Sequence, residues 1–408
     1  MFIRLVLGVS VVLLVTALPA SAHMVSADAD LRVAQTIAGA ELTVVIRRTP
    51  EVPGPLYVDL VAYQPVSDLT IDVSVAASAG TVRLHRERPG TYPVVLHVRN
   101  TGPHELLLKT SAESSVLPFE VRIPRPAAWE TVVYGGFGAA GLLVAAALVA
   151  GAMSRRPIAL ALGGFGVVAI VVAATIAVVS PQLGAETRDP GRPNAQGFLS
   201  VTPAQPRAGD EVTIRFDIVD GSTGRPVNDL AVHHDALAHL VITSQDGEFF
   251  RHVHPLRTSD GRLETRLVAD RPGRYLAYLE IERVDAGGQL VSGGFDVAGS
   301  GQAASTRAVS WKFPAGRPVT VEVDVGAEGV QSWLGMAGHM ITRDDAGTFA
   351  GHVHENSMSS TSDGTVAEHG PKLRFTTSFP RPGRYFAWVQ YVKDFRIVTV
   401  PHVIEVVS

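Results

Sequence analysis

Two stretches of this chain share one pattern: His239-Leu-Val-Ile-Thr-Ser-Gln-Asp-Gly-Glu-Phe-Phe-Arg-His252-Val-His254 and His339-Met-Ile-Thr-Arg-Asp-Asp-Ala-Gly-Thr-Phe-Ala-Gly-His352-Val-His354. Each begins with a histidine, passes through two short runs separated by a glycine-containing turn, and ends in His-Val-His. In both copies the later histidines follow the first by 13 and 15 residues. Two such runs around a turn predict a β-hairpin. The matched spacing predicts that this hairpin belongs to a repeated unit.

Strand pairing would place the three imidazoles of each hairpin on one face. With Asp246-Gly247 as a two-residue turn, the first histidine lies opposite the third, and the second shares their face because side chains alternate along a strand. Ala346-Gly347 gives the same result in the second copy. A symmetric four-residue loop would keep these pairs, whereas a three-residue loop would shift the register and send His339 to the other face. The grouping of the imidazoles therefore depends on an even-length loop.

Grouped imidazoles of this kind can bind a metal ion. Directly opposed Cβ atoms lie about 4.5–5.5 Å apart, close enough for imidazoles to reach one ion at ~2 Å. The chain has no cysteine, so thiolate sites are excluded, and three neutral imidazoles suit Cu(II) or Zn(II). The predicted ligands are His239, His252, His254, His339, His352 and His354.

Methionines near the second copy favour copper over zinc as the cofactor, because thioethers prefer Cu(I). Met340 follows His339 directly and should point away from the site, so Met336 and Met358 are the better candidates, with Met336 the predicted ligand. Additional outer partners could be Glu355 and His369 in the second copy and His233 and His234 in the first.

Other interpretations of the histidines remain open. They could form a hydrogen-bond network that fixes the turn, or a pH-responsive surface, in a metal-free cell-surface interaction module. An enzyme is not expected, since the chain has neither a Gly-x-Ser-x-Gly elbow nor a phosphate-binding loop. A cupin-type oxygenase also uses His-x-His on strands, but no histidine closely follows Pro382-Gly383.

The first residues predict export. Residues 1–22 have a basic start at Arg4, an apolar core, and the small-residue cleavage site Ala20-Ser21-Ala22, which is the pattern of a signal peptide. Cleavage would leave His23 at the N-terminus, where its amine and imidazole could chelate Cu(II), so His23 is a further predicted ligand. The net charge of −4 does not indicate a nucleic-acid partner.

Two apolar segments predict membrane spans. Thr131–Met153 and Ile158–Ser180 each have about the ~20 residues needed to cross a bilayer. Arg155 and Arg156 lie in the turn 154–157 between them, and the positive-inside rule places that turn in the cytoplasm. The flanking domains would then both be extracytoplasmic in a two-span membrane protein. The alternative is a soluble protein with a buried helical hairpin.

The remaining sequence predicts all-β domains. In the first domain, 23–127, runs such as Glu41–Arg47 and Thr70–Val75 alternate with Pro- and Gly-rich turns, as in a β-sandwich. A linker at 185–198 is followed by two repeats, 199–298 and 307–408.

The motif Pro-Gly-x-Tyr links the three domains. It occurs at Tyr275 and Tyr385 in the repeats and at Tyr92 in the first domain, and it is typical of the tyrosine corner of immunoglobulin-like domains. The fold class predicted is three immunoglobulin-like β-sandwiches, the last two an internal repeat, with a two-helix transmembrane hairpin.

The stretches Gly335-Met-Ala-Gly-His339 with His352-Val-His354, and Ala238-His239 with His252-Val-His254-Pro255, resemble a motif of exported actinobacterial proteins grouped with YtkA-like or FixH-like immunoglobulin-type domains. The resemblance covers the last two domains. The first domain, with His23, looks loosely like the CopC-type copper-resistance sandwiches. Glu355 departs from the motif, which has proline there. The resemblance implies metal handling outside the membrane, with a copper transporter or acceptor protein as a possible partner.

Overall fold

The computed structural model of the protein describes residues 29–47, 49–85, 89–123, 128–183, 194–284, 286–300, 307–326, 330–355 and 371–408. The chain separates into two compact units, Met1–Val121 with Pro193–Ser408, and Arg122–Arg192. The predicted signal peptide at 1–22 lies outside the described residues, as do His23, Met358 and His369.

The first domain is a sandwich of two four-stranded sheets, ordered β1-β2-β3-β6 and β5-β4-β7-β8. Alternate apolar residues fill the space between the sheets, among them Val44 of β2 and Val73 of β4, which are fully buried. The strands are β1 (Ala29–Ile37), β2 (Ala40–Arg47), β3 (Gly54–Ala62), β4 (Leu69–Val75), β5 (Ser78–Leu84), β6 (Gly90–Val98), β7 (Gly102–Lys109) and β8 (Ser114–Val121).

The second domain has a sheet ordered β14-β15-β10-β9 that faces a five-stranded sheet ordered β11-β16-β12-β13, in which β17 also pairs with β16. Its first strand begins at Ala195, within the range 185–198 predicted as a linker. The strands are β9 (Ala195–Thr202), β10 (Glu211–Asp220), β11 (Leu230–Ala231), β12 (Ala238–Ser244), β13 (Phe250–Val253), β14 (Leu256–Ser259), β15 (Arg262–Val268), β16 (Gly273–Arg283) and β17 (Gly287–Val297).

The third domain repeats this plan with a smaller first sheet. A pair, β19-β22, faces a five-stranded sheet ordered β18-β24-β23-β20-β21. The strands are β18 (Trp311–Pro314), β19 (Pro318–Asp324), β20 (His339–Asp344), β21 (Ala350–His354), β22 (Lys372–Ser378), β23 (Gly383–Lys393) and β24 (Arg396–Val407). The fold class is therefore as predicted: three immunoglobulin-like sandwiches and two long apolar helices.

The predicted tyrosine corner is confirmed in both repeats. The hydroxyl of Tyr275 donates to the carbonyl of Arg271 at 2.9 Å, and that of Tyr385 donates to the carbonyl of Arg381 at 2.9 Å. Tyr92 in the first domain differs, since its hydroxyl lies 3.4 Å from the carbonyl of His85, seven residues upstream. These tyrosines are structural residues at the start of a long strand.

The second unit contains α1 (Ala128–Ala152) and α2 (Arg156–Leu183). Both helices begin before the predicted spans, and α2 takes in two residues of the predicted turn 154–157, because proline is well accommodated in the first helical turn. The spans Ala128–Ala152 and Arg156–Ser180, of 25 residues each, are long and apolar enough to cross a bilayer. A Cβ on Gly166 would lie 2.9 Å from Cγ2 of Val144, so small residues let these helices approach closely.

Candidate metal centre

The register of both histidine hairpins is as predicted. In the first, Val241 pairs with His252, and in the second His339 pairs with His354. The turn itself differs from the two-residue prediction. The last paired residues of the first hairpin are Ser244 and Phe249, joined by a backbone hydrogen bond of 3.1 Å, so the loop has four residues, 245–248. This even-length loop keeps the pairs unchanged.

The two faces of each hairpin pack against different parts of the protein. The even-numbered side chains Leu240 and Ile242 of β12 face the core of their own sandwich. Val241, on the other face, packs instead with Ile341 and Trp388 of the third domain. Because the first histidine of each hairpin is odd-numbered and lies on this second face, the imidazoles of both repeats point into the interface between the repeats.

The first three histidines form a compact triad. Nδ1 of His239 lies 3.3 Å from Nε2 of His252 and 3.1 Å from Nε2 of His254. All three side chains are buried. The metal-binding nitrogens of the triad lie within 4.8 Å of one another.

Hydrogen bonds on the outer side of each ring assign the protons of this first triad. Nε2–H of His239 donates to the carbonyl of His233 at 3.1 Å. Nδ1–H of His252 donates to Oε1 of Gln390 at 2.9 Å, and Nδ1–H of His254 donates to Oε1 of Glu41 at 2.5 Å. An imidazole in its neutral form carries one N–H and one lone pair, so in that form the three inner nitrogens present three lone pairs to one another.

Two histidines of the second triad are arranged as in the first. Nδ1 of His339 lies 3.2 Å from Nε2 of His352, while Nε2–H of His339 donates to the carbonyl of Trp333 at 3.2 Å. Nε2 of His354 is buried and has no hydrogen-bond partner within the described part of the chain. Its metal-binding nitrogens also lie within 4.8 Å of one another.

The two triads form one continuous cluster. The ring centroid of His352 lies 5.0 Å from that of His239 and 5.0 Å from that of His252. Within the first triad, the ring centroids of His239 and His252 lie 5.5 Å apart. Rings of different triads are therefore as close as rings of the same triad. We call the six imidazoles the histidine cluster: His239, His252, His254, His339, His352 and His354.

One histidine of each triad is oriented by the opposite repeat. Nδ1–H of His352 in the third domain donates to Oε2 of Glu280 in the second at 3.1 Å. His252 in the second domain donates to Gln390 in the third. Glu280 and Gln390 occupy equivalent positions, five residues after the corner tyrosines. The repeats therefore exchange the groups that fix their imidazoles.

The first domain also contributes to the cluster. Glu41 of β2 is buried, and it accepts hydrogen bonds from His254 and, at 2.6 Å, from the hydroxyl of Thr36. The backbone N–H of Thr36 donates to the carbonyl of His254 at 2.8 Å. The first triad is thus covered by the first domain.

Burial favours the neutral form of five imidazoles of the cluster. Desolvation, with the adjacent imidazoles adding to it, lowers the pKa of His252 to about 3 and that of His354 to about 4. The same causes hold the pKa values of His239, His339 and His352 well below the usual 6.5. Neutral imidazole is the form that coordinates metal ions.

The outer candidates have different positions. Met340 is fully buried in the core of the third sandwich, as its place next to His339 predicted. Met336 lies in a tight turn closed by backbone bonds with Trp333. Oε1 of Glu355 accepts a hydrogen bond from the N–H of Arg374 at 3.3 Å.

His233 and His234 do not contact their own triad alone: the ring of His234 lies 6.2 Å, centroid to centroid, from that of His239. The ring of His234 lies 3.8 Å, centroid to centroid, from that of His354 in the second triad, and Nδ1 of His233 lies 2.6 Å from Oε2 of Glu282. Burial, with the nearby imidazoles of His354 and His233, lowers the pKa of His234 to about 3.

Sequence reasoning missed Glu41, Glu280 and Gln390. A signal existed for the last two, because both are polar residues inside apolar strands and align between the repeats. No such signal existed for Glu41, which reaches the cluster from a different domain.

The fold and the site together define an immunoglobulin-like multidomain protein with a buried histidine cluster between its last two sandwiches. The chain belongs to the family described as "Domain of unknown function (DUF8832)", whose model matches residues 196–299 and 304–408, just over half of the chain. The two matched ranges coincide with the two repeats. The resemblance to YtkA-like, FixH-like and CopC-type domains stays a prediction.

Comparison with curated proteins found no match. Among solved structures, the Escherichia coli adhesin FdeC is 12% identical, with 88% of this chain and 95% of that chain covered and a TM-score of 0.19. The FN1–FN3 domains of chicken CNTN1 are 8% identical, with coverage of 88% and 97% and a TM-score of 0.16. Invasin, a bacterial integrin-binding protein, is 10% identical, with coverage of 90% and 60% and a TM-score of 0.17. At these TM-scores the likeness carries no argument about function.

Proposed function

We propose that this protein is a membrane-anchored, extracytoplasmic metal-binding protein that holds copper in its histidine cluster, for sequestration or delivery. The observation that carries the proposal is the convergence of three lone pairs in the first triad, at N···N distances of 3.1 and 3.3 Å. For metal–nitrogen bonds of about 2.0–2.1 Å, tetrahedral geometry gives N···N edges of roughly 3.3 Å. Three buried lone pairs facing one another repel, whereas a cation between them accepts all three.

Copper is favoured by the donor set. Imidazole nitrogen without thiolate suits Cu(II) and Zn(II), and at the same nitrogen site Cu(II) binds more tightly than Zn(II). Met340 lies in the core of the third sandwich, as predicted, so Met336 remains the thioether ligand that we propose. Zinc is the alternative metal.

The extracytoplasmic placement rests on the sequence and on the helices. The predicted signal peptide exports the first domain, and two helices of spanning length would return the chain to the same side. A buried cluster must exchange its metal with another molecule, so a copper transporter or acceptor protein is the partner we propose.

Metal titration of the full-length, detergent-solubilised chain tests this proposal. The full chain is required because Glu41 of the first domain is bonded to His254. After chelator treatment we expect two Cu(II) ions per chain, one for each triad. The double variant His252→Ala with His352→Ala should lose stoichiometric binding, since it removes one ligand from each triad.

The matched control is His85→Ala with His97→Ala, which removes two exposed histidines of the first domain and should leave binding unchanged. If wild-type protein binds neither copper nor zinc, or if the cluster variant binds as wild type does, the metal proposal is wrong. The protein would then be a metal-free interaction module of the cell surface.

A further inference from the structure

Among the described residues, each triad has three histidine donors that lie close to one another. The described residues provide three donors to each site. Structural zinc sites are closed by four protein ligands, whereas sites that handle substrates keep one position for a non-protein ligand. The donor count of the cluster therefore matches an open site.

A cavity of about 250 Å³ lies against the cluster. Its lining includes one histidine from each triad, His239 and His352, together with Glu280 and Tyr278 of β16 and Leu290 of β17. Cavities for drug-sized ligands occupy about 300–1,000 Å³, so this one has room for a small-molecule ligand. One histidine of each triad therefore borders the cavity.

The charges at the cluster favour an anion or another oxygen or nitrogen donor. The carboxylates hydrogen-bonded to the triads are Glu41 and Glu280. Two divalent ions would carry four positive charges against these two negative ones. Bound metal ions then dominate the local electrostatics, and a small anion reduces the remaining positive charge.

We propose that the metal-loaded histidine cluster is an open centre, and that the cavity between β17 and the second hairpin admits a small monoanion or oxygen-donor ligand to the bound metal. This inference rests on the proposed metal binding. It adds that the bound metal is accessible to small molecules and is not sealed in the protein.

A single substitution can narrow the cavity without touching a proposed ligand. Leu290 pairs with Glu280 and Gly288 pairs with Glu282, so all four side-chain positions lie on one face of the sheet. Gly288 lines the cavity, and a Cβ there would meet no atom within 4 Å. Gly288→Phe should therefore place a ring in the cavity.

Azide is the probe for the open position. Copper-loaded, full-length protein is titrated with azide while the azide-to-Cu(II) charge-transfer band and the Cu(II) EPR spectrum are recorded. Wild type should bind azide saturably, and Gly288→Phe should weaken that binding at least ~10-fold because the ring occupies the ligand's space. Val268→Phe, an exposed position on the other sheet of the same domain, should bind azide as wild type does.

Copper stoichiometry is measured first in all three proteins. Loss of copper binding in wild type would remove the proposed function itself. Two bound copper ions with no azide binding, or equal azide affinity in wild type and Gly288→Phe at equal copper content, would overturn only the open-centre inference. Gly288→Ala leaves most of the cavity free and should retain azide binding. This variant therefore distinguishes obstruction of the cavity from an effect of replacing the glycine itself.

Discussion

At the scale of single residues, the cluster depends on groups that do not face the metal. Each outer hydrogen bond fixes the tautomer of an imidazole and the direction of its lone pair. Glu41 is the most consequential of these groups, because it is buried, charged and supplied by another domain. Its carboxylate also increases the electron-donating power of His254.

Replacing Glu41 with alanine should weaken metal binding at the first triad by about 10–100-fold, the usual effect of losing an outer-shell partner. Nδ1–H of His254 would remain buried without its acceptor, which also costs about 1–3 kcal/mol of folding stability. Glu41→Gln keeps an acceptor oxygen but removes the charge, so it should lie between wild type and alanine. Competition titration with a chromophoric copper chelator measures the affinities.

The effect of Glu41→Ala has two controls, a second variant and the second triad. Glu51→Ala, at an exposed carboxylate of the same domain, should leave both sites unchanged. The second triad is oriented by Glu280 and should keep its affinity in Glu41→Ala. Equal weakening of both sites, or none, would show that Glu41 does not act through His254.

At the scale of elements, the two hairpins dock reciprocally. A Cβ on Gly247 would lie 2.4 Å from the ring of Phe386, and one on Gly347 would lie 2.5 Å from Cδ1 of Leu276. Leu276 and Phe386 are equivalent positions of the two repeats, each directly after the corner tyrosine. The hydroxyl of Tyr278 also donates to the carbonyl of Gly347 at 2.7 Å. Each hairpin tip therefore rests on the long central strand of the other repeat.

Gly247→Ala should destabilise the protein for two reasons. Its φ of +73° costs a non-glycine residue about 1–2 kcal/mol, and the clash with Phe386 adds roughly 1–3 kcal/mol of overpacking. Gly316→Ala is the matched control, because Gly316 has a φ of +72° but no atom within 4 Å of its Cβ position. Urea unfolding of the two variants gives the difference, and equal losses would mean that the hairpin tip is not held by Phe386.

The hairpins were predictable because residues that are close in sequence determine their structure. The spacing of the histidines, the alternation of side chains and the even-length loop specify the register, and the register groups three imidazoles. The predicted loop length was wrong, yet His339 still pairs with His354 because four residues and two residues have the same parity. The strands of the first sandwich and both helices followed from periodicity and length in the same way.

The meeting of the two triads was not predictable from the same patterns. It depends on how the third domain packs on the second, through Val241, Ile341 and Trp388. In the sequence, those residues cannot be distinguished from other apolar residues of a strand. A strand that is buried on both faces has no polar face that would indicate an interface. The role of Glu41 could not be predicted for a related reason. The local sequence around one carboxylate at the start of a strand does not indicate a partner in a distant domain.

At the scale of the whole molecule, several neutral imidazoles are buried where three domains meet. In the unfolded chain each has a pKa near 6.5, while burial lowers the pKa of His252 to about 3 and that of His354 to about 4 in the folded protein. Between those values the unfolded chain binds protons that the folded chain does not. The contribution of these neutral imidazoles to the free energy of unfolding is therefore complete above about pH 6.5, and it is lost as the pH falls below that value.

We expect the metal-free protein to lose stability steeply on acidification from about pH 7 to about pH 5, by about 1.4 kcal/mol per pH unit for each such imidazole below the unfolded pKa. Most carboxylates stay ionised over this interval, so the slope reports the histidines. Urea unfolding of the metal-free chain at several pH values measures it. The variant His252→Leu with His354→Leu removes two of the groups and should have a shallower slope, even if its stability at neutral pH is lower. An unchanged slope in that variant would mean that these imidazoles are protonated in the folded protein, and that the cluster does not hold its nitrogens ready for a metal ion.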